Sequence, residues 1–273
     1  MLKNFIQKLI KSLGYKIIKS SSIEKSDLDA MTKLVIKKSE PVIFDVGANV
    51  GQSIKRYKKI FENPILHSFE PSIDAVNILK EKYKNEKDLF VINSAVGEKD
   101  ENLEFNINAS TTHSSFKKLI PNTTWIKKRS KTANVDSNEY TTKKVSTKII
   151  TLDDYVEKNN INNIDVLKID TQGYEDKVLL GAKNLIMNNK IKLIQLELIF
   201  SEIYENPLQI YDIEKILIPN NYKLFGISNS GSLISDYIFQ ADFIYVSKDT
   251  YEDFKLISPY LNIWSSLEDI FIA

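Results

Sequence analysis

The sequence contains no cysteine, which excludes disulfide scaffolds, thiolate metal sites and cysteine nucleophiles. It has only two histidines, His67 and His113, too few for a multi-histidine metal site. No apolar run reaches the roughly 18–20 residues needed to span a bilayer. The first residues, MLKNFIQKLIKSLGYKII, lack the continuous apolar stretch of a signal peptide because Lys3, Lys8 and Lys11 interrupt it, so the expected compartment is the cytoplasm. There is no charge excess either: 37 Lys and Arg stand against 36 Asp and Glu, which argues against a non-specific nucleic-acid binder. What is present is a 273-residue chain, 42% hydrophobic and 27% charged, long enough to bury a sizeable core.

Leu2, Phe5, Ile6, Leu9, Ile10 and Leu13 recur at helical spacing opposite lysines, and Gly14 would stop that helix. It reads as a helix packed on the main domain, or as a basic amphipathic helix (residues 1–13) touching anionic lipid at the inner face of a membrane. A second helix is expected from Ser26 or Asp27 to Lys38. Residues 1–40 thus form a helical extension to a domain spanning 41–273.

From Pro41 onward short apolar runs alternate with helical patterns. Strands are expected at 42–46, 65–69, 89–93, 166–169 and 191–198, with helices at 49–60, 72–84, 175–187 and 207–218. Continuous apolar strands separated by helices indicate an α/β fold whose parallel sheet is covered on both faces. Two late runs, 222–227 and 239–246, flank a turn-like Asn-Ser-Gly-Ser and suit an antiparallel edge. An insertion at about 97–150 breaks the rhythm. It is rich in Asn, Ser, Thr and Lys, with strand-like pieces at 103–107 and 145–150 and apparent loop at 110–115 and 121–142. Loops beyond about 12–15 residues are commonly functional, so it reads as a lid or a substrate-facing segment.

The most informative stretch is Val42-Ile-Phe-Asp-Val-Gly-Ala-Asn-Val-Gly-Gln-Ser53. A buried strand ends in Asp45, turns through Gly47, Ala48 and Asn49, and enters a helix near Gly51. Glycines let the backbone turn tightly and approach a ligand, and open amides at a helix start bind polar or anionic groups. The next strand ends in Ser68-Phe-Glu-Pro71, and Glu70, 23 residues after Gly47, can accept both hydroxyls of a ribose. The turn is G-x-x-x-G rather than G-x-G-x-x-G, and an acid leads it. Asp45 would repel a pyrophosphate and attract a cation. S-adenosylmethionine, with a sulfonium, an ammonium, a ribose and no phosphate, suits that pattern better than NAD.

Together with Asn93-Ser-Ala-Val-Gly97, Thr151-Leu-Asp-Asp-Tyr155 and Leu167-Lys-Ile-Asp-Thr-Gln-Gly-Tyr-Glu175, these motifs make the chain resemble the FkbM-type methyltransferases over about residues 41–200. The resemblance implies a class I methyltransferase, Rossmann-like fold: a mostly parallel seven-stranded sheet of order 3-2-1-4-5-7-6 with helices on both faces. It also implies S-adenosylmethionine as methyl donor and O-methylation of a sugar, glycan or secondary metabolite. One departure is Gln172, where the family more often has Glu.

Ligands of open α/β sheets bind beyond the carboxyl ends of the strands. Asp45, Glu70, Asn93, Asp170 and Glu197 lie at or near such ends. The expected cofactor site comprises Gly47, Ala48, Asn49 and Gly51 around the methionine part and Asp45 facing the cationic region. Glu70 holds the ribose, Pro71 and Ser72 shape the turn beneath it, and Ser94 and Ala95 face the adenine. Asp170, Glu197 and His113 are the candidate bases. Asp170 and Glu197 resemble the carboxylate pair that holds magnesium in catechol-type O-methyltransferases, so Mg²⁺ stays open, although only two carboxylates are in view. His67, inside a strand, is expected to be a buried, hydrogen-bonded histidine. Lys168 lies in a strand buried on both faces and needs a partner, Asp45 or Glu197. The tail at 258–273, with Trp264, would cover the acceptor pocket or mediate a homodimer. Two other readings stay open, an NAD-dependent sugar-modifying enzyme and a non-catalytic binding module.

Overall fold

The computed structural model describes residues 28–229 and 238–257. The amphipathic pattern of residues 1–13, most of the turn after Asn229, and the tail with Trp264 lie outside them.

The helix α1 (Leu28–Val35) leads into β1 (Val42–Val46), α2 (Gln52–Ile60), β2 (Ile65–Phe69), α3 (Ile73–Lys82) and β3 (Leu89–Ile92). Then come β4 (Ala95–Val96), β5 (Glu101–Asn108), α4 (Thr124–Ala133) and β6 (Thr141–Ile150). The remainder is α5 (Leu152–Lys158), β7 (Ile164–Ile169), α6 (Glu175–Leu180), α7 (Lys183–Met187), β8 (Ile191–Ile199), α8 (Ile210–Leu217), β9 (Tyr222–Asn229), β10 (Gln240–Ser247) and α9 (Lys248–Ile257).

Seven strands form the main sheet in the order β3-β2-β1-β7-β8-β10-β9. The pairs among β3, β2, β1, β7 and β8 are parallel, and β10 runs antiparallel to β8 and β9. The labels differ from 3-2-1-4-5-7-6 because β4, β5 and β6 intervene in the chain and form a small sheet of their own; counted without them, the order is the expected one. β9 is the expected antiparallel edge.

Side chains alternate across the sheet with period two, so each strand feeds two cores. Phe44, Val46, Leu167, Ile169, Ile194 and Leu196 pack on one face with residues of α5, α6, α7 and α8. Ile43, Val166, Leu193, Ile244 and Val246 pack on the other with α2, α3 and residues of α1 and α9. Each fully buried side chain of this kind contributes about 1.5–3 kcal/mol. On the second face the strands turn polar toward their carboxyl ends. Asp45, Lys168 and Gln195 stand side by side in register on β1, β7 and β8, all buried. Arg56 of α2 covers the row, with Nη2 donating to Gln195 Oε1 at 2.6 Å and Nε 3.0 Å from Asp29 of α1.

Two expectations are corrected. Residues 121–142 are not loop: α4 is capped by Thr123, whose hydroxyl accepts from Ile126 N, and closed by Asn134 in the left-handed conformation. The helix hid because it buries only Ile126 and Ser130, leaving a lysine-rich pattern without an apolar stripe. The single helix expected at 175–187 is two, broken at Gly181. A Cβ there would sit 1.9 Å from the carbonyl oxygen of Gly97, so only glycine lets these backbones meet. Among the described residues no helix is long and apolar enough to cross a membrane.

Candidate active site

The carboxyl ends of β1, β2 and β7 open into a cleft of about 220 Å³. Its walls include Gly47, Ala48, Asn49, Glu70, Pro71, Ser72 and Ala95, with Phe69, Val96, Phe105 and Phe116 as apolar surface. Among the described residues, Glu70, Lys168 and Asp170 are its charged lining residues. Gly47 has φ +86°, and a Cβ on it would stand 2.0 Å from the carbonyl oxygen of Asp170, so the β1 turn and the β7 end touch only because it is glycine.

The amides of the turn itself are already bound, whereas the start of α2, where the sequence reading expects open amides, has no side-chain cap. Gly47 N and Ala48 N both donate to Phe69 O, at 3.0 and 3.1 Å, and Asn49 N donates to Glu70 Oε2 at 2.8 Å. The other Glu70 oxygen accepts from Ser72 N at 2.8 Å. Burial pushes the Glu70 carboxyl up to about 7 against those two backbone bonds. Each of its oxygens still has an acceptor site for a hydroxyl.

Three expected cofactor residues are not on the cleft wall. Asp45 is fully buried beneath it. Among the described residues no hydrogen bond reaches either of its oxygens, and Lys168 Nζ lies 3.4 Å from Oδ1, so the acid faces that ammonium rather than the cleft. Gly51, at φ +90°, abuts Leu79 and Tyr83, whose hydroxyl donates to its carbonyl, so it serves packing under α3. Ser94 is buried behind Ala95 in a tight turn closed on Ile92 O. Asn93 ties that turn to the end of β2 by donating to Glu70 O and Pro71 O.

A second cleft, of about 230 Å³, adjoins the first and shares Thr112, Asp170 and Gln172 with it. All three candidate bases line it, together with Trp125, Arg129 and Gln240. The insertion brings His113, Trp125 and Arg129 over the β7 and β8 ends, and Thr111 Oγ1 donates to Asn49 Oδ1 at 3.2 Å.

The bases differ in environment. Lys168 Nζ also lies 3.2 Å from Asp170 Oδ2, so it pairs with Asp45 and Asp170 rather than with Glu197. Burial, which would raise Asp170, is outweighed by Lys168 and by the Gln172 amide, and its pKa falls below the usual value. Glu197 is pushed up to about 8 by burial and by the nearby carboxylates Asp170 and Asp242. His113 is lowered to about 4 by burial and Arg129, and its Nδ1 lies 2.9 Å from the Tyr140 hydroxyl. His67 is buried, 2.9 Å through Nδ1 from the Tyr155 hydroxyl, and stacked on Phe90.

Sequence reasoning missed the bracing of the β7 loop. Gln172 takes φ +57°, and its amide donates to Asp170 Oδ1 at 3.0 Å and to Glu197 Oε2 at 3.4 Å. Tyr204 OH lies 3.1 Å from the Gln172 side-chain oxygen Oε1. Glu175, buried, holds the loop from below by accepting from Thr171 N, Thr171 Oγ1 and Gly173 N. An acid in the first turn of a helix looks like a dipole complement in sequence, which concealed it. Among the described residues no group of three or more His, Cys, Asp or Glu is arranged to hold a metal ion.

The fold has likenesses among solved structures. The precorrin-6y C5,15-methyltransferase of Geobacter metallireducens is 10% identical, with 85% of this chain and 92% of that one covered at a TM-score of 0.41. The magnesium protoporphyrin IX methyltransferase of Synechocystis, solved with bound SAM, is 11% identical, with coverage of 90% and 96% and a TM-score of 0.43. Aeropyrum pernix fibrillarin, with natively bound S-adenosyl-L-methionine, is 10% identical, with coverage of 80% and 72% and a TM-score of 0.41. No curated protein matches the sequence. The family profile described as the methyltransferase FkbM domain matches residues 45–224. That stretch holds every residue lining the first cleft and most of the second, and the chain belongs to the FkbM methyltransferase family.

Proposed function

We propose that the protein transfers a methyl group from S-adenosylmethionine to a hydroxyl of a small-molecule acceptor, a sugar, glycan or secondary metabolite. The observation that carries this reading is the state of the turn amides. Three backbone N–H groups of the turn that could otherwise meet a diphosphate are already bound by Phe69 O and Glu70. The one cation of the wall among the described residues, Lys168, is held by two carboxylates. A phosphate-free ligand with a ribose fits such a wall, which speaks against an NAD-dependent enzyme.

The residues present fit the donor. Glu70 would accept its ribose hydroxyls, Pro71 and Ser72 would shape the turn below, Ala95 with Phe69 and Val96 would flank the adenine, and Gly47, Ala48 and Asn49 would border the methionine part. When bound, S-adenosylmethionine supplies an electrophilic methyl group on a sulfonium. The chain's own task is to place an acceptor oxygen in line and remove its proton. Glu197 is the base. Its raised pKa makes it a stronger proton acceptor than Asp170, which Lys168 holds ionised, or His113, which holds a proton weakly. Gln172 is a positioning residue, holding the two carboxylates with one amide.

Calorimetric titration with S-adenosylhomocysteine and with NADH tests the donor: binding of the first and not the second is expected, and the reverse overturns the reading. Turnover should rise with pH through about 8 as Glu197 ionises, and Glu197→Gln should lose that limb.

A further inference from the structure

Of the 37 basic residues only Arg56 and Arg129 are arginines. Arginine differs from lysine in its planar fork of donors, which matches a carboxylate or phosphate two bonds at a time. Arg56 uses its fork inside the protein, on Asp29, Gln195 and Tyr57. Arg129 does not. Among the described residues its guanidinium has no hydrogen-bond or ion-pair partner. It lies 5.6 Å from the centroid of the Trp125 ring, and both residues line the second cleft. They are one helical turn apart on α4, while Ile126 and Ser130 bury the adjoining stripe, so one edge of the helix presents a flat ring and a cationic fork together.

The described acids of the wall engage other groups and not that cation. Asp170 is paired with Lys168. Glu197 keeps its proton up to about pH 8, and His113 is neutral above about 4. The Arg129 guanidinium is thus the charge on this cleft that no described acidic side chain engages, although the cleft contains two acids.

We propose that Trp125 and Arg129 form an anion subsite of the acceptor cleft, so that the acceptor is an acidic carbohydrate whose ring lies on Trp125 and whose carboxylate or phosphate takes the Arg129 fork. The inference rests on the methyltransferase reading of the adjoining cleft and deepens it by assigning the class of acceptor. A sugar ring has a flat C–H face that suits an indole, and a bidentate anion uses what a lysine at this place would not supply.

The test uses the full chain saturated with S-adenosylhomocysteine, titrated calorimetrically with glucuronic acid, a hexose phosphate and a neutral methyl glycoside. At least one acid should bind at least tenfold more tightly than the neutral glycoside, and the stronger of the two identifies the anion as carboxylate or phosphate. Arg129→Met should weaken that acid about tenfold to a hundredfold, with S-adenosylhomocysteine affinity unchanged. Arg129→Lys should retain part of the affinity. Equal binding of the neutral glycoside, absence of binding by both acids, or an unchanged acid affinity in Arg129→Met overturns the subsite alone. A chain that does not take up S-adenosylhomocysteine, read in the first titration, refutes the reading of the donor cleft and this inference with it.

Discussion

Replacing Lys168 by Met removes the counter-charge of a carboxylate that has no exposed surface. Lys168 Nζ is 3.4 Å from Asp45 Oδ1 and 3.2 Å from Asp170 Oδ2, and its side chain is 10% exposed. At an effective dielectric of about 20, a pair at that separation attracts by roughly 5 kcal/mol, partly offset by the cost of taking both charges out of water. Breaking a buried pair by removing one partner costs about 3–5 kcal/mol, because the remaining charge stays buried. Asp170, a third exposed, can turn to water, so most of the loss should come from Asp45. Asp45→Asn in the Lys168→Met background should then restore about 2–4 kcal/mol, although Asp45→Asn alone destabilises the wild type. The ammonium is raised above its ordinary pKa because Asp170 and Asp45 outweigh burial, so its contribution persists through neutral pH and is lost only in strong alkali. Urea unfolding of the four proteins, compared at constant slope, measures the coupling. Additive single and double mutants, or a Lys168→Met loss below about 1 kcal/mol, would refute the pairing as a stabilising contact.

Three further outcomes are expected. Glu70→Gln should weaken S-adenosylhomocysteine binding about 10- to 100-fold, the worth of a charge-assisted hydrogen bond, and wild-type affinity should fall as pH drops below about 7; calorimetry that finds neither effect removes Glu70 from the site. Gly47→Ala should destabilise by about 2 kcal/mol or more, since φ +86° is strained for alanine and its Cβ meets the Asp170 carbonyl; an unchanged urea midpoint contradicts the close contact. Burial raises Glu70 and Glu175 to about 7 in the folded chain, so between roughly pH 4.5 and 7 the folded state holds protons the unfolded state has released, and stability should decline as pH rises through that window. The limit is about 3 kcal/mol per group, and Glu175→Gln should flatten the slope of stability against pH.

The main sheet was legible because β1, β2, β7 and β8 are buried on both faces and so read as largely apolar runs. Glu70, Asp170 and Glu197 were legible because they lie where such runs end. The role given to Asp45 was not, because the run shows that an acid ends the strand but not that Lys168, its register partner on β7 with five strands of sequence between them, fills the space above it. Gln172 was noticed only as a departure from Glu; its positive φ and its bridge between two acids depend on the backbone bonds to Glu175 and on Tyr204, 32 residues away, which a linear motif does not reveal. The helix α4 escaped because a solvated helix with two buried residues carries no periodic signal.

The small sheet has a further consequence. β4 and β6, where the inserted segment leaves and rejoins the chain, lie parallel and in register, Ala95 beside Ile149 and Val96 beside Ile150. Everything between them departs from and returns to one place, so its interior can be lengthened, shortened or exchanged while the main sheet keeps its pairing. Variation among homologues in what they methylate should therefore concentrate between these two anchor points, and a graft of that cassette from one homologue into another should carry acceptor preference with it.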